Sequence, residues 1–167
     1  MQLPEFITTN MDPILRESDT FARSVSPVAK GVSAARLRDH AREMLLEIAA
    51  DMHIAQPPAE QQAKSEGHGM NRRPSQDSPA QTHALARIAD SFTLNEVVGE
   101  TRALRASVVR LWTREMGHAD RGKIDELIRF NESIDQALSE SVARYLASPA
   151  PVRIDPLRVG DGAKAPK

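Results

Sequence analysis

Five histidines are the side chains of this sequence whose chemistry is most readily used, and their spacing does not favour a metal site. None of them is followed four residues later by a second histidine, as in the HExxH signature of zinc enzymes. The chain has no cysteine that could add thiolate ligands. We therefore expect no metal and no cofactor. The histidines are His40, His53, His68, His83 and His118.

His83, in the segment THALARIADSF, is the strongest candidate for a reactive group. Phosphotransfer proteins use an exposed histidine on a helix, whose ring nitrogen attacks an aspartyl phosphate. They usually carry a Lys-Gly pair after this histidine, where the present chain has Ala86 and Arg87. A phosphotransfer protein that uses His83 is therefore an alternative, set against a packed or capping histidine. We expect His40 on a helix surface, and nothing in the sequence supports a proton-sensing role for it.

Three polar residues are expected among apolar neighbours on the last two helices. Arg105 and Asn131 both fall within apolar stripes at helical spacing, and a guanidinium is costly to bury without a partner. Asp135, one turn after Asn131, offers a carboxylate on the adjoining helix. We therefore predict an Arg105–Asp135 contact. We favour the interpretation in which this cluster fixes the register of the two helices or of a dimer. The alternative is that the cluster lines a ligand pocket.

The sequence lacks the other residue patterns that carry catalysis or nucleic-acid binding. No nucleophile with an adjacent base and no phosphate-binding loop is found, so we expect no enzymatic activity. The 22 Lys plus Arg nearly balance the 23 Asp plus Glu, which leaves no net field for nucleic acid or an anionic membrane. No run of 18 apolar residues occurs and Met1–Asn10 does not read as a leader. We expect a cytoplasmic protein.

The composition of the periodic stretches predicts an all-α fold. Alanine, leucine, arginine and glutamate dominate them, and aromatic residues make up only 4% of the chain. We expect a bundle of about five helices. The first stretch runs from Phe6 to Ala22 and is interrupted at Pro13, so it forms one kinked helix or two. The second carries an apolar stripe from Leu37 to Met52, with Ser33 as its N-cap.

The second half of the chain predicts three further helices. A short one near Ala80 to Ser91 presents Leu85 and Ile88. Thr93-Leu94-Asn95-Glu96 matches a capping box that opens a long helix, for which Gly117 is the expected stop. The last helix carries its apolar stripe from Ile124 to Tyr145. Because the turn between these two helices is short, we predict an antiparallel helical hairpin.

Two segments look too polar to belong to a core. Residues 53–79 lose the helical periodicity and should form a mobile insert, although a brief helix through Ala59 to Lys64 is allowed between Pro58 and Gly67. Residues 148–167 are rich in Pro, Gly and Lys and should form a disordered tail. We therefore expect one domain, residues 1–147.

Three segments, LRDHAREMLLEIAADM, VVGETRALRASVVRLW and LIRFNESIDQALSESVARY, together resemble the RsbRD-type N-terminal sensor domain of bacterial sensor histidine kinases. The resemblance implies a haem-free, globin-like helical fold, which is related to that of the N-terminal domains of stressosome co-antagonists. It also implies that the domain dimerises. It implies no catalytic motif. The chain departs from the family at Pro149 and Pro151, which end the helix that elsewhere leads into a phosphoacceptor helix, and in having no tryptophan in its first helix. Kinase activity therefore does not follow.

The resemblance predicts a non-catalytic sensing or relay domain that acts through a homodimer and a partner signalling protein, with the last helix as the output. A structural interaction module that senses nothing is the remaining alternative. Some apolar residues of the last two helices should face a second copy. They are Val109, Leu111, Trp112, Phe130, Ala137, Leu138, Ser141, Val142 and Tyr145.

Overall fold

Residues 1–26, 28–69, 76–117 and 120–149 are described by the computed structural model, and these ranges are all-helical, as predicted. They contain seven α-helices instead of about five, because the N-terminal stretch breaks at Asn10 and a further helix lies in the polar insert. A 3-10 turn, Val28–Gly31, precedes the third helix. The helices are α1 Leu3–Thr9, α2 Met11–Val25, α3 Ala34–Met52, α4 Pro58–Ser65, α5 Pro79–Ala89, α6 Leu94–Glu115 and α7 Arg121–Ala147.

Short-range capping chemistry sets the helix ends that the sequence predicted. The Ser33 hydroxyl accepts the Arg36 amide at 3.3 Å and begins α3. Thr93 and Glu96 form the reciprocal capping box at the start of α6. Gly117, just after α6, has a φ of +64°, which a residue without a Cβ adopts at little cost.

α6 and α7 form the predicted antiparallel hairpin, and its core-facing side carries two large buried aromatic side chains. Trp112 is 1% exposed and Phe130 is 0% exposed. Both pack with residues from α1, α2 and α3 in one cluster, whose members include Phe6, Ile14 and Leu45. This burial corrects the prediction that Trp112 and Phe130 contribute to a dimer surface, since the single chain already covers them.

The inner faces of two helices differ from the predicted ones. α5 buries Ala80, His83, Ala84 and Arg87, while Leu85 and Ile88 are only half-buried. α7 buries Phe130, Ser133, Ile134 and Ser141, while Ile124 and Ile128 are 51% and 49% exposed. The reason is close packing: alanine and serine let α5 and α7 approach each other, with the Ser141 hydroxyl donating to the Ala80 carbonyl at 2.8 Å.

The polar insert contains α4, which lies within the brief helix allowed by the sequence. Lys64 of α4 is buried and its ammonium pairs with Asp51 of α3. Asp51 also accepts the Ser133 hydroxyl of α7 at 2.9 Å, so one carboxylate joins three helices. Residues 70–75 of the insert, His118 and positions 150–167 of the tail lie outside the described residues. Among the described helices, none combines the length and the hydrophobicity that a bilayer-spanning segment requires.

Candidate functional site

The predicted contact between Arg105 and Asp135 is present and joins α6 to α7. Both side chains are partly exposed, at 32% and 40%. Asn131 does not join them, because its side-chain amide donates to the Leu127 carbonyl of its own helix at 2.9 Å. The pair therefore lies at the surface of the hairpin and does not line a closed pocket.

Two parallel stripes of residues run along α7. Within each stripe the spacing alternates between three and four residues, which defines one face of a heptad repeat. The first stripe packs into the core and consists of Leu127, Phe130, Ile134, Ala137 and Ser141. The second stripe is half-buried or exposed throughout. It consists of Ile124, Ile128, Asn131, Asp135, Leu138, Val142 and Tyr145.

The second stripe and neighbouring residues of α6 contain the part of the predicted dimer surface that the chain leaves partly exposed. Val98 and Val109 are half-buried and flank Arg105 at helical spacing. Leu111 is also half-buried, and both Val109 and Leu111 pack against the core cluster. Among the other predicted residues, Ser141 is fully buried, and the Tyr145 hydroxyl donates to the Phe92 carbonyl at 2.8 Å. A strip of partly exposed apolar residues thus lies around one ion pair of the hairpin, and Ile124 and Ile128 are its most exposed members.

His83 occupies the interior and not the surface. It is 3% exposed, and its Nε2 lies 3.2 Å from a Glu100 carboxylate oxygen on α6. A phosphoacceptor histidine must reach the active site of another protein. The burial of His83 inside the bundle therefore gives no support to phosphotransfer, and it matches the packed histidine of the other interpretation.

A charged network surrounds His83 where α3, α5 and α6 meet. Arg87 is 0% exposed and donates from Nε to the same Glu100 oxygen at 2.7 Å. It also donates to the Leu37 carbonyl of α3 at 3.2 Å, and its guanidinium stacks 5.2 Å from the centre of the Phe92 ring. A guanidinium at this depth is tolerated because each contact compensates part of its lost hydration.

The network is closed on its outer side by Asp90. This carboxylate lies 3.6 Å from Arg87 and accepts Arg36 of α3 at 2.7 Å. Burial raises the pKa of the Glu100 carboxyl, but the hydrogen bond and charge of His83 and the charge of Arg87 outweigh burial and hold that pKa below its usual value. Glu100 is therefore a charged group inside the bundle.

Two concavities border these elements. A cavity of about 30 Å³, enough for a water molecule, lies beside His83 and Glu100 and is otherwise lined mainly by α2 and α3. A groove of about 660 Å³ runs between α3, α4, α5 and α7, with Leu46 and Ile54 among its lining residues. Within the described ranges, no three His, Asp or Glu side chains are placed to hold a metal ion.

The His83–Arg87–Glu100 cluster is the feature that the sequence interpretation missed. Its signal was present: Ala80, His83, Ala84 and Arg87 follow helical spacing on one side of α5, so a stripe of small and polar residues marks the buried face. Glu100 carries no such local signal, since it reaches His83 only through the packing of α5 on α6. The chain matches no known protein family, no curated protein and no solved structure.

Proposed function

We propose that this chain is a non-catalytic sensing or relay domain of the RsbRD type, which works as a homodimer in a bacterial signalling system related to the sensor histidine kinases. The globin-like arrangement, the cytoplasmic location and the partner signalling protein belong to this proposal. The observation that carries it is the second heptad stripe of α7, a largely apolar strip that the single chain covers only in part.

The stripe has the properties of a helix-pairing face. Four of its seven positions are Ile, Leu or Val, and two of these, Ile124 and Ile128, are about half exposed. A sustained spacing of three and four is what lets two helices interlock along their length. The polar positions Asn131 and Asp135 lie in the middle, where a polar residue favours one register over others at some cost in stability. A second copy of the same chain is the simplest occupant of such a face.

α7 is suited to carry a signal because it contacts most of the bundle. Its Glu126 accepts the Leu3 amide at 2.8 Å, its Arg129 donates to the Ile54 carbonyl at 2.7 Å, and its Gln136 accepts the Gly69 amide at 2.8 Å. These contacts come from three different segments of the chain. A displacement in any of them would move α7, and with it the face on which the two copies meet.

The experiment compares two surface substitutions of matched exposure. Ile128→Glu places a charge on the second stripe, and Leu46→Glu, at 47% exposure on α3, places the same charge elsewhere. We expect Ile128→Glu to weaken dimerisation at least about tenfold, because a charge in place of an apolar interface contact should cost at least about 1.4 kcal/mol. Leu46→Glu should dimerise like the unmodified chain. Equal dimerisation of both variants, with circular dichroism showing both folded, would contradict the proposed face.

A further inference from the structure

His40 of α3 lies against His83 of α5. The two ring centroids are 6.3 Å apart and the ring planes are tilted by 59°. In each ring the Nδ1 atom is buried and has no hydrogen-bond partner in the described part of the chain. An imidazole nitrogen can be protonated or bare near neutral pH, so a pair of such nitrogens between two helices makes their contact depend on protons.

The charges on α5 oppose a positive charge on His40. Burial is the largest effect that lowers the pKa of His40, followed by the charges of His83 and Arg87. Asp39 and Glu43, on the same helix as His40, act in the other direction and are outweighed. An added proton would therefore place a cation close to the buried guanidinium of α5.

The other carboxylates around this contact are already taken by cations. Glu100 of α6 accepts Arg87 and lies against His83. Asp19 of α2 accepts Arg23 and Arg38, each at 2.9 Å. α7 meets α3 about three turns farther along, at Asp51, whose carboxylate is held by Lys64. The groups facing the contact from α2, α6 and α7 thus do not supply an unused negative charge for a protonated His40.

We propose that His40 and His83 form a proton-operated contact between α3 and α5. With His40 uncharged, α5 is seated on α3 through the bond from Arg87 to the Leu37 carbonyl. A proton on His40 adds a second cation beside Arg87 and loosens α5 from α3. In the proposed sensing domain, the proton would be the signal. Only this signalling role rests on the proposed function, and the proton-dependent contact itself does not.

The loosened helix is connected to the output helix. Ser78, the N-cap of α5, donates its hydroxyl to Glu140 of α7, and the Ala80 carbonyl accepts Ser141 of α7 at 2.8 Å. Ser141 belongs to the core stripe of α7, and Leu138 and Val142 of the second stripe flank it. A shift of α5 therefore reaches the helix face that we assign to the dimer.

The test follows urea unfolding of the full chain by the fluorescence of Trp112, the only tryptophan, from about pH 7.5 to about pH 5.5, across the ordinary histidine range. For the unmodified chain we expect the unfolding equilibrium constant to rise on acidification, by up to about tenfold per pH unit for one proton. His40→Gln should remove most of this rise. His53→Gln, which changes an exposed histidine just after α3, should keep it.

Hydrogen exchange resolves where the loosening occurs. After correction for intrinsic rates, amides of α5 should exchange faster in acid in the unmodified chain and in His53→Gln, but not in His40→Gln. An unchanged pH dependence in His40→Gln, or α5 protection that does not change with pH, would overturn the proposal. These readouts do not require dimerisation, so a monomeric chain with the full pH response contradicts the proposed dimer alone.

A second measurement covers the case in which His40→Gln does not fold. The histidine ring signals of the unmodified chain are titrated by NMR. We expect the pKa of His40 to lie below the ordinary histidine value of 6.5. A pKa of His40 at or above that value would overturn the proposal.

Discussion

Arg105 of α6 and Asp135 of α7 form an ion pair that crosses the antiparallel hairpin on its outward face. By helical spacing, Arg105 lies between Val98 and Val109 on α6, and Asp135 lies between Ile128 and Leu138 on α7. The same two residues thus join the two helices of the hairpin and form the polar centre of the strip that we assign to a second copy.

A double-mutant cycle measures how strongly this pair couples α6 to α7. Because both side chains are partly solvated, Arg105→Ala and Asp135→Ala should show a coupling of less than about 1 kcal/mol in the free energy of urea unfolding. The measurement is made at a protein concentration low enough that the chain is monomeric. A coupling of several kcal/mol under these conditions would mean that the pair is shielded from solvent within one chain, which would contradict its observed exposure.

Removing the charge of Glu100 should be far more costly than breaking that surface pair. Glu100→Gln leaves Arg87, which is 0% exposed, without its nearest carboxylate, and we expect a loss of about 3–5 kcal/mol in the free energy of unfolding. Replacing both residues, as Arg87→Met with Glu100→Gln, should be less harmful than the sum of the single changes. Glu115→Gln, at an exposed position of α6, is the control, with a change expected within about 0.5 kcal/mol. A Glu100→Gln chain as stable as this control would contradict the role of the cluster.

Three carboxylates make the fold sensitive to strong acid. Burial raises the pKa of Asp51, but hydrogen bonds from Lys64, Gln56 and Ser133 and the charge of Lys64 bring it below its ordinary value of 3.8. The pKa of Glu96 is lowered from 4.5 first by the Ser26 hydroxyl, and that of Glu100 is lowered as described above.

Since these groups bind fewer protons when folded, their stabilisation is fully present above the ordinary values and is lost as the pH falls through the lowered ones. Glu132, whose pKa burial raises, acts in the opposite direction. We therefore expect stability to fall below about pH 4.5, and less steeply in Asp51→Asn than in the unmodified chain. Circular dichroism at fixed urea, with exposed Asp125→Asn as control, measures both slopes. Equal slopes for Asp51→Asn and the unmodified chain would contradict the lowered pKa of Asp51.

The helix ends were predictable because their chemistry is local. Ser33, Thr93 and Glu96 act on amides within one turn of their own position, so the sequence order alone places each donor beside its acceptor. The Arg105–Asp135 contact was predictable for a related reason, since a short turn fixes how two helices run past each other. These features need no knowledge of the rest of the bundle.

The choice between two stripes on one helix was not predictable in the same way. Ile124 and Ile128 have the spacing and hydrophobicity of core residues, whereas Ser133 and Ser141 do not, yet the serines are buried. Small residues let α5 approach α7, and that preference depends on what the partner helix presents. The pairing of His83 with Glu100 was hidden likewise, because two residues on different helices meet only when the whole packing is known.

The mass of the full chain in solution tests the central claim most directly. Sedimentation equilibrium at micromolar concentration and near-neutral pH gives it without labels or substitutions. If the second stripe of α7 pairs two copies, the mass should approach twice the 18.4 kDa of one chain and fall towards 18.4 kDa on dilution. A mass of 18.4 kDa at every concentration would contradict the account, because the uncovered strip would then have no second copy to meet.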